Sequence, residues 1–335
     1  MLGLATKIHR LYTSQQKQFH KTYYGNCAVL LYHRITDLSS DPQMLSVSPQ
    51  NFEAQLVYLK KHHPVLRIDE LKFHIEKKKK LPANSVAISF DDGYADNYLE
   101  ALPLLESKEL QAIFYIATAT LNTEQEFWWD AIERILLLNE NKAAEKEYIL
   151  LKYAYDLTNL NRERRRRLYE KLLPVFRKLN SVERDKKINE LATVFNNVIP
   201  RSTYRSLSFQ ELQQMNNSDS VVIGAHTHTH PSLGALSYNE QLQEIKTSKE
   251  ILENLLQEKI VHFSFPFGTR ADFNTDTISI CKSLQFEMVA ANHPYIVHKN
   301  TNIFQFPRFV VRNWDIDKFK NEARQLVKKY LLFNI

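Results

Sequence analysis

Two short stretches of this chain combine residue types and spacing that could do chemistry. The first, Val86-Ala87-Ile88-Ser89-Phe90-Asp91-Asp92-Gly93, is an apolar, strand-like run that ends in two adjacent carboxylates. Such a pair repels itself unless a cation or a shared proton relieves it; an Asp-Asp-Gly surface turn is the plainer alternative. The second, Gly224-Ala225-His226-Thr227-His228-Thr229-His230-Pro231, follows apolar Val221-Val222-Ile223. A catalytic zinc site commonly takes three protein ligands and leaves one position open for water, and two histidines plus one carboxylate meet that count. A solvated polar loop is the alternative here.

Glycine placement points to the same stretches. The chain has 6 glycines in 335 residues, and three of them are Gly93, Gly224 and Gly268. A sequence this poor in glycine places one beside the Asp pair, one beside the His cluster and one in Phe265-Pro266-Phe267-Gly268. Each is expected where the backbone needs a positive φ or a close approach.

These motifs, in this order, resemble those of the polysaccharide deacetylases of the NodB-homology type, among the family four carbohydrate esterases. Phe90-Asp91-Asp92-Gly93 matches the first family motif, and His226 to His230 matches the second. Ser264-Phe265-Pro266-Phe267-Gly268 resembles the third, and the similarity runs from about Leu30 to Val311. The resemblance implies that Asp92, His226 and His230 bind a divalent metal, that Asp91 is the general base, and that the backbone N–H of Phe267 donates to the oxyanion. It leaves His228 outside the ligand set. Two positions depart from the family pattern. Ser264 stands where the third motif usually has arginine, and Arg308 in Phe306-Pro307-Arg308 is the substitute expected to support Asp91. The late leucine-any-histidine motif that supplies a general acid has no clean match at His293 or His298, so His33 is the expected polar replacement.

The composition is that of a soluble globular chain, 44% hydrophobic and 24% charged, with a net charge of +6. The charge is partly gathered in Lys77 to Lys80 and Arg164 to Arg167, which read as solvated helix faces or as a surface for an anionic polymer or membrane. No nucleic-acid reader motif accompanies it. Cys27 and Cys281 imply no disulfide framework. Met1 to Tyr24 lacks the apolar run of a signal peptide and no stretch is long enough to span a bilayer, so a cytoplasmic location is expected, at the inner face of the membrane where a lipid-linked substrate would lie.

The elements that must position these residues alternate between strand and helix. Cys27 to Tyr32, Ala112 to Ile116, His262 to Phe265 and Phe286 to Ala290 read as strands. Ser48-Pro49 opens a helix, Asp69 is expected to cap the next, and Ser208/Glu211 and Ser237/Glu240 have capping-box spacing. The fold class is α/β, and the resemblance implies a distorted parallel (β/α) barrel of about seven strands. Residues 1–24 form an N-terminal extension, and residues 25–335 form the barrel domain, interrupted by a helical insertion at 121–201. Residues 315–335 read as a closing amphipathic helix, with peripheral membrane contact as a second use. Trp128, Trp129 and Pro266 are the expected sugar contacts, because aromatic rings suit apolar sugar faces.

The resemblance implies removal of an N-acetyl group from an amino sugar of a polysaccharide or lipid-linked glycan precursor. Zinc is the first expectation for the metal, and cobalt, nickel or manganese also suit the donors. Deformylation of a lipid-linked amino sugar and glycan binding without catalysis are the alternatives. The sequence does not speak to oligomeric state.

Overall fold

Seven short parallel strands carry the core of the chain: β1 (Cys27–Tyr32), β2 (Ser85–Phe90), β3 (Ala112–Ile116), β4 (Val221–Ala225), β5 (His262–Ser264), β6 (Met288–Ala290) and β7 (Phe309–Val310). They are seen in a computed structural model that describes residues 25–138, 143–151 and 153–330, with side chains through Ala323. Their order is β6-β5-β4-β3-β2-β1-β7, every pairing parallel. Strands buried on both faces are largely apolar, and β1, β2 and β3 are buried at every position, with the Ser85 and Ser89 hydroxyls of β2 donating to backbone carbonyls. The sheet curls into a half-barrel. Phe306 bridges Ala290 as the chain passes from β6 towards β7, narrowing the gap between the two edges.

Strand register brings the candidate residues together. Tyr32 pairs with Phe90, Phe90 with Phe114, and Ile116 with Ala225, so His33, Asp91, Ala117 and His226 all emerge at the same, C-terminal rim. That rim is where sites form in parallel α/β barrels, because the connecting loops there are free to vary without disturbing the core. The close approach expected at Gly224 is present. A Cβ there would lie 2.6 Å from the Tyr115 ring on the neighbouring strand. Gly93 and Gly268 take positive φ, at 88° and 65°.

The covering helices are α1 (Pro49–His62), α2 (Ile68–Glu76), α3 (Leu102–Ser107), α4 (Trp128–Leu136), α5 (Arg162–Phe176), α6 (Ser181–Val194), α7 (Phe209–Asn216), α8 (Tyr238–Leu256), α9 (Thr275–Ser283) and α10 (Ile316–Tyr330). Ser48 caps α1, and the capping boxes at Ser208/Glu211 and Ser237/Glu240 both form. Asp69 does not cap α2. The helix starts two residues earlier, with Arg67 as its N-cap, and Asp69 lies in its first turn, where a carboxylate favours the helix dipole.

Between β3 and β4 the chain adds α4, α5 and α6 together with an antiparallel hairpin, Glu147–Leu150 with Tyr153–Asp156, which a purely helical reading of this segment does not anticipate. Its alternate burial, with Tyr148 and Leu150 inward, is that of a hairpin laid on a helical core. Trp129, Ile132, Leu136, Leu172, Phe176 and Leu191 pack there in one cluster with Tyr94 and Ala117 of the barrel rim. Cys27 and Cys281 are free and buried. No described helix is long and apolar enough to cross a membrane. The segment Met1 to Tyr24 and the apolar end Leu331 to Phe333 lie outside the described residues.

Gly224→Ala places a methyl group against Tyr115 and is expected to destabilise the fold by about 1–3 kcal/mol; urea unfolding that matches wild type would show that β3 and β4 can move apart.

Candidate active site

Asp91 and Asp92 leave β2 almost wholly buried, at 4% and 2% exposure, so charge compensation decides whether they can ionise. Arg308, the residue before β7, is 1% exposed and forks Asp91: Nη1 donates to Oδ1 and Nη2 to Oδ2, each at 2.7 Å. Nη2 also donates to Ser264 Oγ at 2.6 Å, and that hydroxyl lies 3.3 Å from Asp91 Oδ2. Arg308 thus reaches both oxygens of Asp91, and the small Ser264 side chain completes the contact. Burial alone would raise the Asp91 carboxyl; the Arg308 guanidinium, with the nearby imidazole of His226, outweighs it and holds the group at about 2.

Asp92, His226 and His230 form the one buried group among the described residues with the make-up of a metal site, their donor atoms lying within 4.8 Å of one another. Asp92 Oδ1 is 3.6 Å from His226 Nε2 and 3.3 Å from His230 Nε2. Ligands about 2.1 Å from a tetrahedral ion stand about 3.4 Å apart, so these donors fit a divalent metal. His226 Nδ1 bonds the Ser264 carbonyl at 2.8 Å, which leaves Nε2 for a ligand role. Desolvation depresses both imidazoles, His226 to about 4 and His230 to about 3, so each is neutral and able to ligate at pH 7. Asp92, Thr227, His230 and Phe267 all have positive φ, between 57° and 77°. Such left-handed, non-glycine backbones cost energy and gather at functional sites.

The polysaccharide deacetylase family model matches residues 78–143 and 184–289, slightly more than half of the chain. The chain belongs to this family. The interval between the two matched segments falls inside the insertion. A poly-beta-1,6-N-acetyl-D-glucosamine N-deacetylase of Staphylococcus aureus is 30% identical over 131 residues, 39% of this chain and 44% of that protein. A Bacillus subtilis protein, YxkH, is 33% identical over 89 residues, 26% of this chain and 30% of its own length. The chain therefore spans less than half of either relative. The fold is shared with the Streptococcus pyogenes deacetylase PplD, at a TM-score of 0.58 and 16% identity, covering 89% of this chain and 98% of that one. IcaB from Ammonifex degensii gives the same score and identity over 90% and 97%.

The remaining deacetylase candidates divide into those at the rim and those behind it. His33 follows β1 and lies close enough to Asp91 and Asp92 to feel both charges; its Nδ1 is buried without a protein partner. The Phe267 N–H makes no protein hydrogen bond among the described residues, and its ring packs 4.8 Å from that of His230. Pro266 is buried, and its carbonyl accepts from Gly268 N in the tight turn after β5. Trp129 offers no sugar-stacking face, whereas Trp128 lines a cavity of about 520 Å³ together with His228, Thr229 and His230. Both are buried, at 7% and 3%, because α4 turns them into the core shared by insertion and barrel. They brace His230 instead: the Trp129 ring is 4.5 Å from the imidazole, and Trp128 Nε1 donates to the His230 carbonyl at 3.4 Å. His228 turns away to Thr118 Oγ1, at 2.9 Å. Sequence reasoning missed Glu244 of α8, whose carboxylate accepts from the N–H groups of His228 and Thr229 at 3.1 and 2.8 Å. It also missed a buried polar cluster beneath the rim, in which Trp129 Nε1 donates to Tyr94 Oη and Tyr94 donates to Asp130, at 2.8 and 2.7 Å. Neither carries a local signal, since each depends on contacts between residues far apart in the chain.

Arg308→Ala leaves the Asp91 carboxylate buried without its partner and is expected to cost about 3–5 kcal/mol in urea unfolding, whereas an exposed ion pair would cost under about 1 kcal/mol. Asp130 gives a pH test. Burial, opposed by Arg34, lifts its carboxyl from 3.8 to about 8, so the folded state holds a proton that the unfolded chain releases between those values. Its contribution is therefore full below pH 3.8 and is lost as pH rises to 8. The stability of wild type relative to Asp130→Asn should fall by up to about 1.4 kcal/mol per pH unit between pH 5 and 7; parallel curves would contradict the raised value.

Proposed function

We propose that this chain hydrolyses the N-acetyl group of an amino sugar in a polysaccharide or lipid-linked glycan, releasing acetate and a free amine. The observation that carries the reading is a buried, guanidinium-forked carboxylate, Asp91, set 3.7 Å from His226 Nε2 and directly beside the Asp92–His226–His230 donors. The name of the Staphylococcus aureus relative supports an N-acetylglucosamine polymer as the substrate class.

Asp92, His226 and His230 would hold the divalent ion, with zinc first among the candidates. Bound there, it supplies Lewis-acid chemistry, lowering the pKa of a water and polarising the amide carbonyl. Asp91 takes the proton from the attacking water as the new C–O bond forms, and its low pKa keeps it ready for that task at any pH above about 4. The free N–H of Phe267 donates to the developing oxyanion. In this reading the proton collected by Asp91 passes to the His33 ring and from there to the leaving nitrogen as the C–N bond breaks, which returns both groups to their starting state as acetate and the free amine leave. Arg308 holds the carboxylate in one orientation throughout, which removes reorganisation from the reaction.

The decisive assay is acetate release from N-acetylglucosamine oligomers by metal-stripped and zinc-restored protein. Zinc-dependent release should fall by about 10²–10⁴-fold in Asp91→Asn. The Arg308→Gln variant should move the acid limb of kcat/KM to higher pH, since burial of Asp91 is then unopposed. Turnover that survives Asp91→Asn would remove Asp91 from the mechanism.

A further inference from the structure

The two imidazoles of the triad are oriented by different means. His226 has its ring fixed by the Ser264 carbonyl at 2.8 Å, as ligand histidines commonly do through their second nitrogen. His230 lacks that restraint, because its Nδ1 is buried with no hydrogen-bond partner. Its ring is held by packing against Trp129, Phe267 and His226, at centroid distances of 4.5, 4.8 and 4.9 Å. Its backbone, at φ 57°, is held within the loop by its own N–H, which donates to Thr227 Oγ1 at 3.1 Å, and is restrained further from outside the loop.

The outside restraint comes from the insertion. Arg184, in the first turns of α6, is 2% exposed. Its Nη2 donates to the Thr229 carbonyl at 2.7 Å, its Nη1 lies 3.5 Å from the His230 carbonyl, and its guanidinium sits 5.3 Å from the Trp128 ring centroid. Its ion-pair partner Asp185 is 3.8 Å away with a side chain 65% exposed, and the charge of Glu244 also acts on it. Burying a guanidinium costs several kcal/mol, and so distant a partner recovers little of it. An apolar side chain would serve packing better at this place. From the other side Glu244 accepts from the backbone of the same loop and from the Thr229 hydroxyl, at 2.6 Å. The loop carrying His230 is thus clamped between a cation from α6 and an anion from α8.

We infer that Arg184 is a positioning residue for metal ligation, through which the insertion sets the geometry of His230. This rests on the reading of the triad as a metal site. The insertion is then part of the ligand scaffold, and metal affinity depends on how α6 docks against the 228–230 loop.

The test measures zinc affinity of the full chain by competition with a chelating dye, for wild type, Arg184→Ala, Arg184→Lys and Arg184→Gln. Thermal unfolding of each metal-free protein is followed in parallel. Arg184→Ala should bind zinc about 10–100-fold more weakly, and Arg184→Lys, which keeps one donor for the Thr229 carbonyl, should fall between it and wild type. In a His230→Gln background the Arg184→Ala change should weaken zinc binding no further. If Arg184→Ala does not fold, the Lys and Gln variants carry the comparison. Lowered melting temperatures with zinc affinity within twofold of wild type would overturn the inference and leave Arg184 a structural residue. Zinc that fails to bind wild type would overturn the metal reading itself, and the inference with it.

Discussion

Two adjacent carboxylates buried at the end of one strand impose the constraint from which the rest of the site follows. An unpaired carboxylate in such surroundings costs several kcal/mol or takes up a proton. The fold resolves the pair by dividing it. Asp91 receives a full guanidinium with both oxygens satisfied. Asp92 faces two neutral imidazoles, and burial raises its carboxyl, so a cation bound there would be what keeps it ionised. The two aspartates are neighbours in sequence, yet their surroundings differ, one forked by a guanidinium and one facing two imidazoles. Ser264 joins the halves: its hydroxyl touches Arg308 and Asp91 while its carbonyl fixes the ring of His226.

Much of this arrangement is legible from residues alone, for an identifiable reason. Apolar runs that stop at polar clusters place Asp91, Asp92 and His226 at one rim once strand register is imposed. Ser264, in a motif that normally carries arginine, marks a missing charge, and Arg308 in its short Pro-Arg-Phe context offers one. What stays hidden depends on packing between distant segments. Glu244 and Arg184 look like ordinary charged positions on amphipathic helices, and nothing local says that their heads reach the same loop. The tryptophan pair misleads for the same reason, since an exposed platform and a buried wedge share one sequence, and only the docking of α4 distinguishes them. The Glu147 to Asp156 hairpin was hidden by flanking helical sequence rich in charge.

The insertion changes what kind of object the barrel is. A half-barrel with short edge strands leaves its rim loops poorly supported, and here Trp128, Trp129 and Arg184 support one of them from a separate helical layer. Because the insertion shares one apolar cluster with Tyr94 and Ala117, it cannot be treated as a detachable lobe. Rigidity at His230 comes from this added layer, and rigidity at His226 comes from the sheet.

The Asp91–Arg308 contact joins residues separated by 217 positions. During synthesis the carboxylate therefore emerges long before its cation, and every strand except β7 can pair while Asp91 still lacks a counter-charge. A nascent chain folded through β6 has Asp92, His226 and His230 in place but leaves Asp91 without its guanidinium. The buried charge of Asp91 is compensated only when the last strand is made, so closing the sheet and completing this rim are one event.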